Sequence, residues 1–172
     1  VKEYGGIITV HSEPDAGSTF TIYLPALARV VKAAEKSEDL IPRGSERILF
    51  LDDENILAEI GGDILKKLGY EVMTTTSSSK ALDVFRSQPE RIDLVITDMT
   101  MPGMTGADLA KELLKIRPDI PIILCTGFSE LITKDEAQRI GIREFLLKPL
   151  TLRDLAVAVR RAIDTHIGTT AS

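Results

Sequence analysis

The sequence predicts an α/β fold: a doubly wound, five-stranded parallel sheet with an N-terminal β-hairpin. Three observations predict it. From Arg47 onward, short apolar runs alternate with segments of helical periodicity, five times over. Five such units in a row demand a parallel sheet with helices on both faces. Several runs are continuously apolar rather than alternating, as strands buried on both faces are. The polar residues that interrupt the pattern fall at the carboxyl ends of the runs, where a parallel sheet gathers its site.

The elements follow in order. Arg47 to Leu51 is the first strand of this series. A helix follows, with Leu57, Ile60, Ile64 and Leu68 at helical spacing and Gly69 as its stop. Tyr70 to Thr74 is the second strand, and Ser77 to Ser87 a helix using Ala81, Leu82 and Phe85. Ile92 to Thr97 is the third strand. Asp108 to Arg117 is a helix with Leu109, Leu113 and Ile116 inward, ended by Pro118. Ile120 to Cys125 is the fourth strand, and a weaker helix spans Thr133 to Ile140. Ile142 to Leu147 is the fifth strand. Leu152 to Ile163 is the last helix, with Leu155, Val159 and Ile163 inward. Right-handed crossovers leave few topologies, and the flavodoxin-like order 2-1-3-4-5 is the usual one at this size.

Upstream, residues 7–11 and 19–24 read as strands, joined by a segment rich in turn formers from Ser12 to Ser18. An isolated hairpin is marginal in water, so this one is expected to belong to a larger sheet. Residues 26–45 read as a solvated linker and residues 166–172 as a tail. The chain starts at Val1 rather than Met and reads as a piece of something longer.

Composition bounds the function classes. The 172 residues carry a formal net charge of -5, with 44% hydrophobic and 27% charged residues. That is the balance of an ordinary globular domain. No apolar run approaches the ~18 residues that suggest a membrane span. A modest acidity without a basic stripe argues against nucleic acid. The one cysteine, Cys125, can form neither an internal disulfide nor a Cys-rich metal site, which suits a reducing, cytoplasmic setting. Cys125 itself reads as a small buried hydrophobe. His11 and His166 lie in no phosphoacceptor motif and read as surface residues. No G-x-x-x-x-G-K-[ST] loop is present, so a GTPase-like reading fails.

The strand ends carry the chemistry. Asp52, Asp53 and Glu54 follow the first strand of the series, Asp98 the third, Thr126 the fourth and Lys148 the fifth. In a parallel sheet these converge on one edge. Clustered carboxylates repel one another unless a cation sits among them. A hard oxygen site with few ligands suits Mg²⁺, which keeps some waters. A lysine and a hydroxyl alongside stabilise further negative oxygens. Together they read as a site for a phosphoryl group, with Asp98 a candidate carboxylate nucleophile.

Over residues 46–165 the sequence resembles the receiver domains of two-component response regulators. The resemblance rests on Asp52-Asp53, Asp98, the run Met101-Pro102-Gly103-Met104-Thr105-Gly106, Thr126-Gly127, and Phe145 with Lys148-Pro149. It implies that Asp98 accepts a phosphoryl group from a phosphohistidine. It implies that Asp53 and Asp98, with the backbone carbonyl of Thr100, hold Mg²⁺, with Asp52 acting through water. Lys148 then pairs with the phosphoryl oxygens, Thr126 bonds to the group and shifts inward, and Phe145 follows as a switch. The face made by the last two helices and the fifth strand reads out the change. Lys148-Pro149 resembles the family's cis peptide. The implied partners are a histidine kinase or a histidine phosphotransfer domain, with a homodimer also open.

Residues 1–25 resemble the last strands of a histidine-kinase ATP-binding domain, through Gly5 to Val10, Ser12-Glu13 and Gly17 to Pro25. The kinase's glycine boxes, its Asn-bearing helix and its phosphoacceptor His motif are absent from this sequence. The resemblance therefore implies a hybrid sensor kinase as parent and no ATP binding by this piece.

Two competing functions stand beside this one. A Mg²⁺-dependent phosphohydrolase acting through an aspartyl-phosphate usually has an acid two residues after its nucleophile; Thr100 holds that position here. Thr100 and Phe128 would flank the path of a hydrolytic water. A binding module without phosphorylation has to explain why the whole acceptor set is present.

Overall fold

The computed structural model describes residues 5–14, 17–25, 41–127 and 139–167. The chain divides into two compact units, Val1–Ser37 and Glu38–Ser172.

The first unit contains an antiparallel hairpin of β1 (Ile7–Glu13) and β2 (Gly17–Tyr23). Its register runs from Ile7 opposite Tyr23 to Glu13 opposite Gly17. The period of two puts Ile8, Val10, Phe20 and Ile22 on one face as cross-strand pairs. All four are at least half exposed, so among the described residues no side chain covers this apolar face, and the hairpin stands as a two-stranded sheet rather than in the larger one expected.

The second unit holds β3 (Arg47–Leu51), α1 (Asn55–Lys67), β4 (Glu71–Thr75) and α2 (Ser78–Ser87). After a 3-10 turn at Pro89–Arg91 come β5 (Leu94–Asp98), α3 (Gly106–Ile116), β6 (Ile122–Thr126), β7 (Glu144–Leu147) and α4 (Leu152–Ile167). The sheet order is β4-β3-β5-β6-β7 with every pair parallel, which is the expected 2-1-3-4-5 counted within this unit. The predicted helix over Thr133–Ile140 lies outside the described residues except for its last two positions.

Alternate residues of each strand feed opposite faces. Ile48 and Phe50 join Leu65, Ile96, Ile123, Leu155 and Val159 under α1 and α4. Leu49 and Leu51 join Phe85, Val95, Leu109, Leu113 and Leu124 under α2 and α3. Strand starts differ from the sequence reading for local reasons. β5 begins at Leu94 because Asp93 turns its carboxylate onto the backbone N–H of Arg47, 2.8 Å away. β6 begins at Ile122 because Pro121 has no N–H to give the ladder. Helix α3 starts earlier, at Gly106, because the Thr105 side chain accepts from Asp108 N and caps it.

The inward face of α1 also differs. Its buried residues are Ala58, Gly61, Gly62 and Leu65, while Ile60 is 51% exposed. A Cβ on Gly61 would overlap the ring of Phe50, so the helix rides close on the sheet through a glycine. The apolar stripe of Leu57, Ile60 and Ile64 is thereby left to line a surface groove.

The segment entering β3 docks on the far end of the sheet from the acidic residues. Gly44 N–H donates to Leu68 O at 3.2 Å and Arg43 Nη1 to Lys67 O at 3.2 Å. Arg160 on α4 bonds Glu46 at 2.5 Å and lies over the Tyr70 ring.

Candidate functional site

Three of the predicted residues meet at the carboxyl edge of the sheet. Lys148 Nζ lies 2.8 Å from Asp52 Oδ2 and 2.5 Å from Asp98 Oδ1. Asp52, just after β3, is 1% exposed and Asp98, the last residue of β5, is 4% exposed. They are neighbours because β3 and β5 pair directly and in parallel. Lys148 arrives from the end of β7, where its backbone N–H donates to Thr126 O at 3.0 Å. The peptide bond from Lys148 to Pro149 is cis.

Each carboxylate is further held by backbone. Asp52 Oδ1 accepts from Glu54 N at 3.1 Å, and Asp98 Oδ2 accepts from Thr100 N at 2.9 Å. Burial opposes the charge of Asp98 and raises its pKa, while the bond and charge of Lys148 offset part of that rise. Burial alone would lower the pKa of Lys148, but its bonds to Asp52 and Asp98 outweigh burial and raise it. So the lysine is firmly cationic and two buried carboxylates share it. Counted by formal charge, two carboxylates against one lysine leave one surplus negative charge in a buried pocket. Such a surplus favours the binding of a further hard cation.

The remaining predicted residues surround this cluster. Asp53 is exposed beside Asp52 and does not enter the ion-pair cluster. Among the described residues, no three His, Cys, Asp or Glu side chains converge on one point. The two buried carboxylates of Asp52 and Asp98, with exposed Asp53 beside them, still fit an ion that keeps several waters, as Mg²⁺ does. Thr100 is exposed, and its backbone lies against the Asp98 carboxylate. Thr126 is half-buried, with its hydroxyl donating to Gly127 O at 3.1 Å. Phe145 is half-buried against the core under α2 and α3. Phe128 lies outside the described residues. Cys125 stands opposite Asp98 on β6, 2% exposed, and burial pushes its thiol up to about 12.

The loop from Met99 to Thr105 after Asp98 is closely held. Gly106 N donates to Met99 O at 3.0 Å, and a Cβ on Gly106 would overlap the carbonyl of Asp98. Ser78 on α2, 4% exposed, donates to Met104 O at 2.9 Å and meets Met101 Sδ at 3.6 Å. The sequence reading passed over Ser78. Its signal was position: it falls on the same helix stripe as Ala81, Leu82 and Phe85, where a hydroxyl needs a partner.

Beside the cluster runs a groove of about 500 Å³ lined by Leu57, Ile60, Ile64, Lys148, Pro149 and Leu150, among others. It is overwhelmingly apolar and opens next to Asp52.

With fold and site in place, the chain belongs to the response regulator receiver domain family, whose model matches residues 48–160. It is 34% identical to the chemotaxis protein CheY of Thermotoga maritima over 105 residues, 60% of this chain and 86% of that protein. It is 33% identical to the sensor kinase CckA of Brucella abortus over 175 residues, 95% of this chain and 18% of that protein. It is 34% identical to the aerobic respiration control sensor protein ArcB of Escherichia coli, over 96% of this chain and 21% of that protein. The chain thus spans about a fifth of the length of these sensor proteins. A solved receiver domain from Clostridium thermocellum superposes with a TM-score of 0.69 at 36% identity, covering 72% of this chain and 98% of that one. No described helix is long and apolar enough to cross a membrane.

Proposed function

We propose that this chain is the phosphorelay receiver of a hybrid sensor kinase, in which Asp98 accepts a phosphoryl group from a phosphohistidine and the domain passes on the change. The buried Asp52–Lys148–Asp98 cluster carries the reading, because it offers a nucleophile, a fixed cation and a surplus negative charge at one edge. A carboxylate oxygen of Asp98 attacks phosphorus and the P–N bond of the donor breaks. The imidazole nitrogen keeps the bonding pair and Asp98 becomes an acyl phosphate. Lys148 moves its bonds from the carboxylates to the incoming phosphoryl oxygens.

Asp53, Asp98 and the Thr100 carbonyl would hold Mg²⁺, with Asp52 reaching it through a water. The chemistry such an ion would supply is neutralisation of charge on the transferring group. The Thr126 hydroxyl turns from Gly127 O to a phosphoryl oxygen, and Phe145 turns inward behind it.

The sensor-kinase similarity extends over 95% and 96% of the chain, against 60% for the chemotaxis protein. That supports residues 1–25 as the end of a kinase ATP-binding domain, 26–45 as a linker, 46–165 as the receiver and 166–172 as a tail. The apolar groove beside Lys148 offers a surface for a protein donor, a kinase or a phosphotransfer domain.

Intact-protein mass spectrometry after acetyl phosphate treatment tests this. One phosphoryl adduct is expected with Mg²⁺, none with EDTA, and none in Asp98→Asn. Acid-labile phosphate retained by Asp98→Asn would overturn the assignment. Rapid release of phosphate with no adduct would replace it with a phosphohydrolase.

A further inference from the structure

We propose that Ser78 is a positioning residue for the phosphoacceptor loop, acting from α2 on the backbone that presents the Thr100 carbonyl. This rests on the Mg²⁺ reading above. The capping role at the start of α2 belongs to Ser77, whose side chain accepts from Lys80 N. Ser78 is therefore free of that duty, yet it is 4% exposed on the buried stripe of the helix. A hydroxyl in that place is costly unless it is bonded. Its bonds go to the loop after Asp98: to Met104 O at 2.9 Å and, more weakly, to Met101 Sδ at 3.6 Å.

The loop needs such a hold on its far side. Its near side is tied by Thr100 N to Asp98 Oδ2 and by Gly106 N to Met99 O. Between them Pro102 and Gly103 are exposed, and Gly103 takes φ +79 with no atom within 4 Å of where a Cβ would stand. Met101, buried at 6%, and the Met104 carbonyl are the points where Ser78 grips this open bend. Partners bonded directly to a metal's ligands typically change its affinity about 10–100-fold when removed; Ser78 stands one step further out, holding the loop rather than a ligand, which places its effect at the bottom of that range.

Ser78→Ala keeps the Cβ and removes only the hydroxyl. Ser87→Ala removes a hydroxyl from the exposed far end of the same helix, where it bonds Val84 O. Mg²⁺ alone is titrated into each protein by calorimetry, and acetyl phosphate labelling is then measured at saturating Mg²⁺. Ser78→Ala is expected to weaken Mg²⁺ binding about tenfold while labelling at saturating Mg²⁺ recovers, and Ser87→Ala is expected to bind as wild type does. Should Ser78→Ala not fold, Ser78→Cys, of similar size and a weaker donor, carries the same comparison with a smaller loss. A Mg²⁺ affinity within twofold of wild type in the folded variant overturns the proposal, even if its thermal stability falls. Absence of Mg²⁺ binding by the wild-type chain overturns the function reading and this inference together.

Discussion

Gly106→Ala tests how tightly α3 is packed behind Asp98. Gly106 is buried at the first position of the helix, and an added Cβ would overlap the carbonyl oxygen and carbon of Asp98 and the Leu124 side chain. None of these yields easily. Asp98 lies in the sheet opposite Cys125, and Leu124 is 0% exposed. Overpacking of this kind costs about 1–3 kcal/mol. Ala gains at most about 1 kcal/mol over Gly in a helix interior, and less in the first turn. The net loss is therefore about 1–2 kcal/mol, which in urea is a midpoint lowered by roughly 0.5–1 M for a domain of this size. The strain falls on the Asp98 backbone, so acetyl phosphate labelling should slow as well. Gly103→Ala is the comparison: it has open space but φ +79, so it should lose stability, about 1–2 kcal/mol, without displacing Asp98. A Gly106→Ala protein with an unmoved midpoint and wild-type labelling would refute the packing argument.

Three further outcomes follow from the geometry. Gly61→Ala should lower the unfolding midpoint because its Cβ meets the fixed Phe50 ring, whereas on Gly62 a Cβ touches Val72 at ordinary distance and displaces the methyl of exposed Thr74, so Gly62→Ala should cost less, with helix propensity returning up to ~1 kcal/mol; equal effects would contradict the close approach of α1. The Arg47 guanidinium, bonded to both oxygens of Asp93, holds that carboxyl below its ordinary range. Its stabilisation is full above the ordinary carboxylate pKa and is lost as pH falls through the lowered one. Asp93→Asn should thus unfold more easily than wild type at neutral pH, with the gap closing in acid; a gap independent of pH would exclude this pair as the cause. Arg160→Ala should free the segment entering β3, seen as faster hydrogen exchange at the Gly44 amide, and unchanged exchange would mean that Leu68 O alone holds it.

The fold was legible because β3, β5 and β6 are too apolar to be anything but buried, and Gly69 and Pro118 end the helices between strands. The cluster of Asp52, Asp98 and Lys148 was legible because charges at the ends of such runs have one place to go. What escaped was information that apolar periodicity does not hold. The stripe of Leu57, Ile60 and Ile64 outweighed two glycines that make the real contact of α1. Strand starts moved because Asp93 prefers a guanidinium and Pro121 lacks a donor. The 3-10 turn at Pro89–Arg91 has too short a pattern to register. Ser78 was hidden in a run of three serines, where capping explains one and packing another.

The burial of Cys125 has a practical side. With the thiol 2% exposed and its acidity suppressed to about 12, alkylating reagents at neutral pH find almost no thiolate to attack. The chain can therefore keep its native cysteine while a second one is placed on an exposed position of α2 or α4 and labelled alone. A fluorophore or spin label put there turns the domain into its own reporter, able to test in real time for the proposed change of state without a partner protein.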